Sequence, residues 1–174
     1  PLSTFVHLHT HSYYSLLDGC PSPAELAQAA VGAGYSALAL TDHNALYGVI
    51  EFYDACQSVG VRPIIGMELT VALDEAHSST RSTLDLDQST QSTWETDQGT
   101  TSQEKLVLLA QDMAGYANLC RLSSALQAQP DREAAIERGL PTSELQGRTE
   151  GLVALGGGKQ GRLAHLVQSG RMRE

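Results

Sequence analysis

Apolar residues along this chain fall into short runs separated by stretches of helical spacing. Phe5-Val6, Ala37 to Leu40, Pro63 to Ile65, Leu69 to Leu73, Leu106 to Ala110 and Leu152 to Leu155 are apolar runs of strand type. The gaps between them carry helix signals. Ser22 is placed to cap a helix starting at Pro23, Glu25 completes a capping box, and Gly34 sits where a left-handed residue would stop it. Leu46, Val49, Ile50, Tyr53 and Cys56 recur at three- and four-residue steps up to Gly60, which predicts a second helix packing that stripe into the core. Further helices are expected around Gly115 to Leu126 and Arg162 to Gln168. Repeated β-then-α order favours a parallel sheet or barrel over a sandwich.

One stretch interrupts the alternation. Of the 26 residues from 78 to 103, 13 are Ser or Thr, with Gln88, Gln91, Gln98 and Gln103 among them. Such a segment buries too little apolar area to offset its ordering entropy. The expectation is one domain over residues 1–174, carrying a mobile polar surface insertion at about 75–103. Trp94 is its one large aromatic side chain, either docked on the domain, exposed, or part of a partner-binding loop.

Composition narrows the class. The chain has 174 residues, 41% of them hydrophobic, enough for the core of one domain. A net charge of −9 repels a phosphate backbone, so strong stand-alone binding to duplex DNA is not expected. Nucleic acid would have to be held by other domains or by metal ions. Cys20, Cys56 and Cys120 form no CxxC pair and read as small hydrophobes in a reducing, cytoplasmic compartment. No apolar run approaches the roughly 20 residues that span a membrane, and no signal peptide precedes the first strand. The ending Arg171-Met172-Arg173-Glu174 has no closing element and reads as that of a partial domain.

Candidate chemistry concentrates near the amino terminus. His7, His9 and His11 alternate, so a persisting strand would put all three imidazoles on one face. Half of the six histidines thus lie within five residues, and neutral imidazole is a common ligand for divalent metals. Asp18 follows in Leu16-Leu17-Asp18-Gly19, Asp42 and His43 end the run from Ala37, and Glu68 ends the run from Pro63. A single acid after a strand is ordinarily a cap or a solvated turn. Recurrence at several strand ends is how βα enzymes assemble a site at the carboxyl ends of their strands.

These motifs resemble a known family. His9-Thr10-His11-Ser12-Tyr13-Tyr14-Ser15-Leu16-Leu17-Asp18-Gly19, Ala39-Leu40-Thr41-Asp42-His43 and Ile64-Ile65-Gly66-Met67-Glu68 are similar to the first motifs of the polymerase and histidinol phosphatase (PHP) domain. Leu106 to Ala110, Gly115 to Leu122 and Glu150 to Leu155 resemble the version at the amino terminus of the bacterial C-family DNA polymerase III alpha subunit. The Asn118-Leu119-Cys120-Arg121-Leu122 wording leans towards the error-prone branch. The resemblance implies a distorted TIM-like (β/α) barrel, incomplete here. It implies His9, His11, Asp18, His43 and Glu68 as metal ligands, with His7, Asp42 and Ser12 around them, and up to three divalent ions (Zn, Mn or Fe). It further implies phosphoester hydrolysis, in some members 3′–5′ exonuclease proofreading, within a DNA-directed DNA polymerase (a nucleotidyltransferase) of DNA replication that meets DNA and other replisome subunits through its remaining parts. A free-standing phosphatase of histidinol-phosphatase type and a purely structural polymerase module are the alternatives.

Two departures weaken the ligand set. Lys105 stands where the family often has a histidine, and its cation would repel a divalent ion. Gly156-Gly157-Gly158 stands where it often has a cysteine. The run into Lys159-Gln160 lacks the Ser or Thr of a P-loop and reads as a βα turn. Ser12 and Ser15 lack a nucleophile elbow, so capping or ligand-orienting roles are expected of them.

Overall fold

A computed structural model describes residues 5–72 and 103–156. Helix α1 (Pro23–Gly32) starts as its sequence predicts. Ser22 accepts from the Glu25 backbone, Glu25 reaches back to the Ser22 N–H, and Pro23 occupies the first turn where no donor is needed. Its chain reverses at Gly34 (φ +73), with the Tyr35 N–H donating to the Ala30 carbonyl. Strand β1 (Ala37–Leu40) follows, then helix α2 (Val49–Val59), which stops at the left-handed Gly60. Strands β2 (Arg62–Ala72) and β3 (Gln103–Ala110) come next, then helices α3 (Met113–Gln127) and α4 (Arg132–Arg138). The short β4 (Leu140–Pro141), a 3-10 turn at Thr142–Leu145 and β5 (Leu152–Leu155) complete the described chain. The 75–103 insertion with Trp94, save Gln103, the helix expected at Arg162 to Gln168 and the glycines from Gly157 on lie outside the described residues.

The sheet is mixed, in the order β1-β2-β3-β5, with β4 also on β2. β1 and β4 run parallel to β2, whereas β3 is antiparallel to both β2 and β5. The α/β class therefore holds, but the uniform parallel repeat does not, and the sheet does not close into a barrel among the described residues. An antiparallel return needs no crossover helix.

Two further expectations are corrected. Pro63 to Ile65 and the described part of the run from Leu69, up to Ala72, are parts of one eleven-residue strand, so Glu68 lies inside β2 and does not end it. Gly66 carries the strand through the crowding there, since a Cβ at this position would meet the Leu108 carbonyl oxygen at 2.6 Å. Phe5-Val6 forms no strand. The amino-terminal segment runs beside β1, with Ala39 N–H donating to His7 O and Thr41 N–H to Thr10 O, but it bends at Leu8 and His9. That bend breaks the strict alternation assumed for the three histidines.

Most packing lies on one face of the sheet, where Leu38 and Leu40 of β1 pair with Pro63 and Ile65 of β2, in phase with Met67, Leu69 and Val71. Met67, Leu69, Val71 and Leu108 meet Leu119, Leu122 and Leu126 of α3, while Leu38 and Leu40 meet Ala27 and Ala30 of α1 and Phe52 and Cys56 of α2. α3 comes so close to β5 that a Cβ on Gly115 would stand 1.9 Å from the Gly151 carbonyl oxygen. In α2 the buried stripe is Val49, Phe52 and Cys56, whereas Ile50 is 66% and Tyr53 47% exposed. The expected stripe was thus rotated. Both assignments satisfy three- and four-residue spacing, and Phe52 wins because it offers more apolar area to the crevice between α1 and β1.

The carboxyl end of β1 is fastened by one buried acid. Asp42 is 3% exposed and accepts from Ser12 N–H at 2.7 Å, Ser12 Oγ at 2.7 Å and Ser15 Oγ at 2.6 Å. Ser15 Oγ in turn accepts from His43 N–H at 3.1 Å. This network ties the amino-terminal loop to β1.

Replacing Phe52 with Ala is expected to cost about 3–5 kcal/mol of unfolding free energy, whereas Ile50→Ala should stay within about 0.5 kcal/mol. Urea titration followed by circular dichroism separates the two, and comparable losses would contradict the observed helix face. By the same measurement Asp42→Asn should cost about 2 kcal/mol, because an amide gives up charge-assisted bonds and turns a donor towards the Ser12 hydroxyl.

Candidate metal centre

Glu68 is the buried centre of a group of ionisable side chains. Its backbone is held on both sides: it pairs with Val107 of β3, donates to Asp42 O at 3.1 Å and accepts from Asn44 N–H at 2.8 Å. Its side chain emerges on the face opposite Met67 and Leu69, as strand alternation requires. Asn44 sits in the left-handed region (φ 55), which Asn tolerates better than most residues, and its side chain exchanges hydrogen bonds with Thr70. The chain leaving β1 is thereby locked against β2, with His43 beside Glu68.

The expected ligands arrive from three segments. His9 Nε2 lies 2.8 Å from Glu68 Oε2, and His11 Nε2 lies 3.9 Å from the same oxygen. His43 Nδ1 is 2.8 Å from Glu68 Oε1, while its Nε2 is 2.8 Å from Asp18 Oδ2. The rings of His11 and His43 stack at 4.3 Å. Asp18 is presented by a tight turn in which Leu17 adopts φ 68 although fully exposed, a costly conformation for a leucine. Two triads have ligand atoms all within 4.8 Å of one another: His9, His11 and Glu68, and His11, Asp18 and His43. Ligands about 2.1 Å from a tetrahedral zinc stand about 3.4 Å apart, so the separations around Glu68 Oε2 bracket that spacing.

The other expected residues are placed differently. His7 turns away, its ring against Phe5 and its Nε2 3.3 Å from the Tyr35 hydroxyl. The bend after it removes His7 from the face shared by His9 and His11, so the expectation of a role for it beside the ligands is corrected. Ser12 and Asp42 stand behind the group, joined to each other, and reach it through Ser15. The Ser15 hydroxyl is 3.4 Å from His11 Nδ1 as well as bonded to the His43 backbone.

Lys105 is the residue whose contact sequence reasoning did not foresee. Its Nζ lies 2.8 Å from Glu68 Oε1. Val107 pairs with Glu68, so Lys105, two residues earlier, projects on the same face of β3, a register that only the fold supplies.

Electrostatics follow from these contacts. Burial alone would raise the Glu68 carboxyl, but the close contacts with His43 and Lys105 outweigh it and bring it down to about 2. Burial lowers His11, helped by the neighbouring His43, and so favours the neutral ring that can donate a lone pair. His43 is raised by its close contact with Glu68, against burial, with Asp18 adding to the rise. Asp18 is lowered by the His43 hydrogen bond and by His11. Glu68 Oε1 is nevertheless buried with no donor in hydrogen-bonding alignment, despite two nitrogens at 2.8 Å. Oε1 lies beside His43 and Lys105, while Oε2 faces His9 and His11. A buried carboxylate oxygen with two imidazole nitrogens within ligand reach is a donor set that fits a divalent ion.

The PHP domain family matches residues 7–174. The DNA polymerase III subunit alpha of Bacillus subtilis is 35% identical over 167 residues, 96% of this chain and 12% of the relative. An error-prone DNA polymerase of Symbiobacterium thermophilum is 34% identical over 184 residues, 98% of this chain and 14% of the relative. The chain thus spans about an eighth of the length of the polymerases it matches. Among solved structures, a protein of Bifidobacterium adolescentis described as a candidate metal-dependent phosphoesterase is similar at TM-score 0.48 and 18% identity, over 77% of this chain and 37% of its own. Among the described residues no helix is long and apolar enough to cross a membrane. Because the family match takes in the whole sheet and every residue grouped around Glu68, the chain belongs to the PHP domain family.

Proposed function

We propose that this chain is the amino-terminal PHP domain of a bacterial DNA polymerase III alpha subunit, replicative or error-prone, acting in the cytoplasm. In this reading it carries a reduced metal site derived from phosphoester hydrolysis. The observation that carries the proposal is the convergence of His9, His11 and His43 on the one buried carboxylate of Glu68. His9, His11 and Glu68 would hold a divalent ion, with Asp18 and His43 beside it. A bound ion of this kind supplies Lewis-acid polarisation of a phosphoryl oxygen and a more acidic water. The chain's own residues position the ligands: Asp42, through Ser12 and Ser15, holds the His43 backbone and faces the His11 ring. DNA and other replisome subunits would be met through the rest of the polymerase, in keeping with the acidic balance of this chain.

A structural role within the polymerase is the second reading, and the Lys105–Glu68 ion pair favours it. That pair compensates the buried carboxylate without any ion. Three imidazoles and two carboxylates, one of them already engaged by an ammonium, are a thin set for several mutually repelling divalent ions.

The expected outcome is therefore little or no phosphoesterase activity in the isolated chain, even with added manganese or zinc. Hydrolysis of a generic phosphoester and of a 3′-labelled single strand, compared with His9→Ala, measures it. Robust metal-dependent turnover that vanishes in the His9 variant would restore an active exonuclease or phosphatase and reject the reduced-site reading.

A further inference from the structure

We propose that Lys105 is the resident counter-ion of Glu68, and that a divalent ion enters the His9–His11–Glu68 group only in competition with it. This rests on the metal reading above and adds what balances the site when no ion is bound.

The two partners differ in freedom. Glu68 is 5% exposed, and its backbone is bonded on one side to β3 and on the other to the chain leaving β1, so its carboxylate cannot move out into water. The Lys105 side chain is 60% exposed and sits on an unbranched, flexible stem. Only the ammonium can leave at low cost. Its contact is also poorly directional, because Glu68 Oε1 has no aligned donor although the nitrogen is 2.8 Å away. Charge compensation of this kind is readily exchanged for another cation.

The geometry sets the competition. His9 and His11 approach the other oxygen, Oε2, so an ion held there would share one carboxylate with the ammonium. A divalent ion and an ammonium on the same carboxylate repel with twice the energy of two unit charges at that distance, reduced by the water that reaches Lys105 and His9. Among the described residues no other Lys or Arg forms an ion pair with Glu68. The chain therefore carries its own positive charge at the centre. Without an ion the carboxylate stays compensated; with an ion bound, Lys105 swings into solvent.

Cobalt(II) binding to the 174-residue chain tests this, because the visible spectrum reports ligation directly. Chelator-stripped wild type, K105M, K105R and H9A are titrated at fixed pH and ionic strength, and their melting temperatures are recorded with and without cobalt. K105M should bind cobalt about tenfold more tightly than wild type, and K105R should stay within about threefold of it. Stripped K105M should melt a few degrees lower than stripped wild type and recover when cobalt is added. Should K105M fail to fold, K105Q removes the charge while keeping a polar chain, and the same comparison applies. Unchanged cobalt affinity on removal of the charge overturns the proposal while leaving the metal centre standing. A cobalt spectrum absent from all four chains rejects the centre itself, and the competition with it.

Discussion

A carboxylate taken out of water in the middle of a β-strand is tolerated only where compensating charge and polar groups surround it. Around Glu68 the Lys105 ammonium and the imidazoles supply them, although Oε1 has no aligned donor. The residue is 5% exposed, and its side chain is met by His9, His43 and Lys105 at 2.8 Å each, with His11 at 3.9 Å. These partners come from the amino-terminal segment, the end of β1 and strand β3. Placing one anion inside the sheet thus obliges three separate segments to converge. The same convergence produces the only chemistry the described chain concentrates.

The supporting frame is arranged so that the ligands are not free to drift. Asp42, itself buried, gathers Ser12 and Ser15, and Ser15 holds the His43 backbone. Asn44, one residue beyond His43, is bonded to Thr70 on β2 and receives Gln127 from α3 on its carbonyl. The large apolar cluster lies on the other face, where Met67, Leu69 and Val71 alternate with Glu68 and Thr70 along the same strand. One strand therefore serves both layers: its odd-numbered residues here pack against α3, and Glu68 faces the site. A change in register by one residue would exchange the two, which is why the long pairing of β2 with β3 matters for chemistry as well as for stability.

Much of this was legible beforehand because it depends on neighbours in sequence. Ser22, Pro23 and Glu25 specify a helix start through hydrogen bonds spanning three residues, and Gly60 specifies a stop through its own φ. The errors arose where the deciding contact is distant. Ile50 and Phe52 both suit an apolar stripe, and only the crevice between α1 and β1 selects Phe52. Pro63 to Leu73 looked like two strands because pairing partners, and the room at Gly66 for the Leu108 carbonyl, are supplied by segments distant in sequence. His7 shares its spacing with His9 and His11 but not their direction, since the bend between them is set by docking beside β1.

By itself the sequence determined the α/β class, the positions of helix caps, and the residue types able to hold a divalent ion. Each of these follows from local propensity or from the chemistry of single side chains. The family was legible too, because short motifs keep their wording around such residues. Tertiary structure alone decided the antiparallel return of β3, which brings Lys105 onto the face of Glu68. Spacing could state that Lys105 was a cation, but not which carboxylate it would meet. Charges separated by 37 positions acquire an energy only when folding sets their distance and removes the water between them.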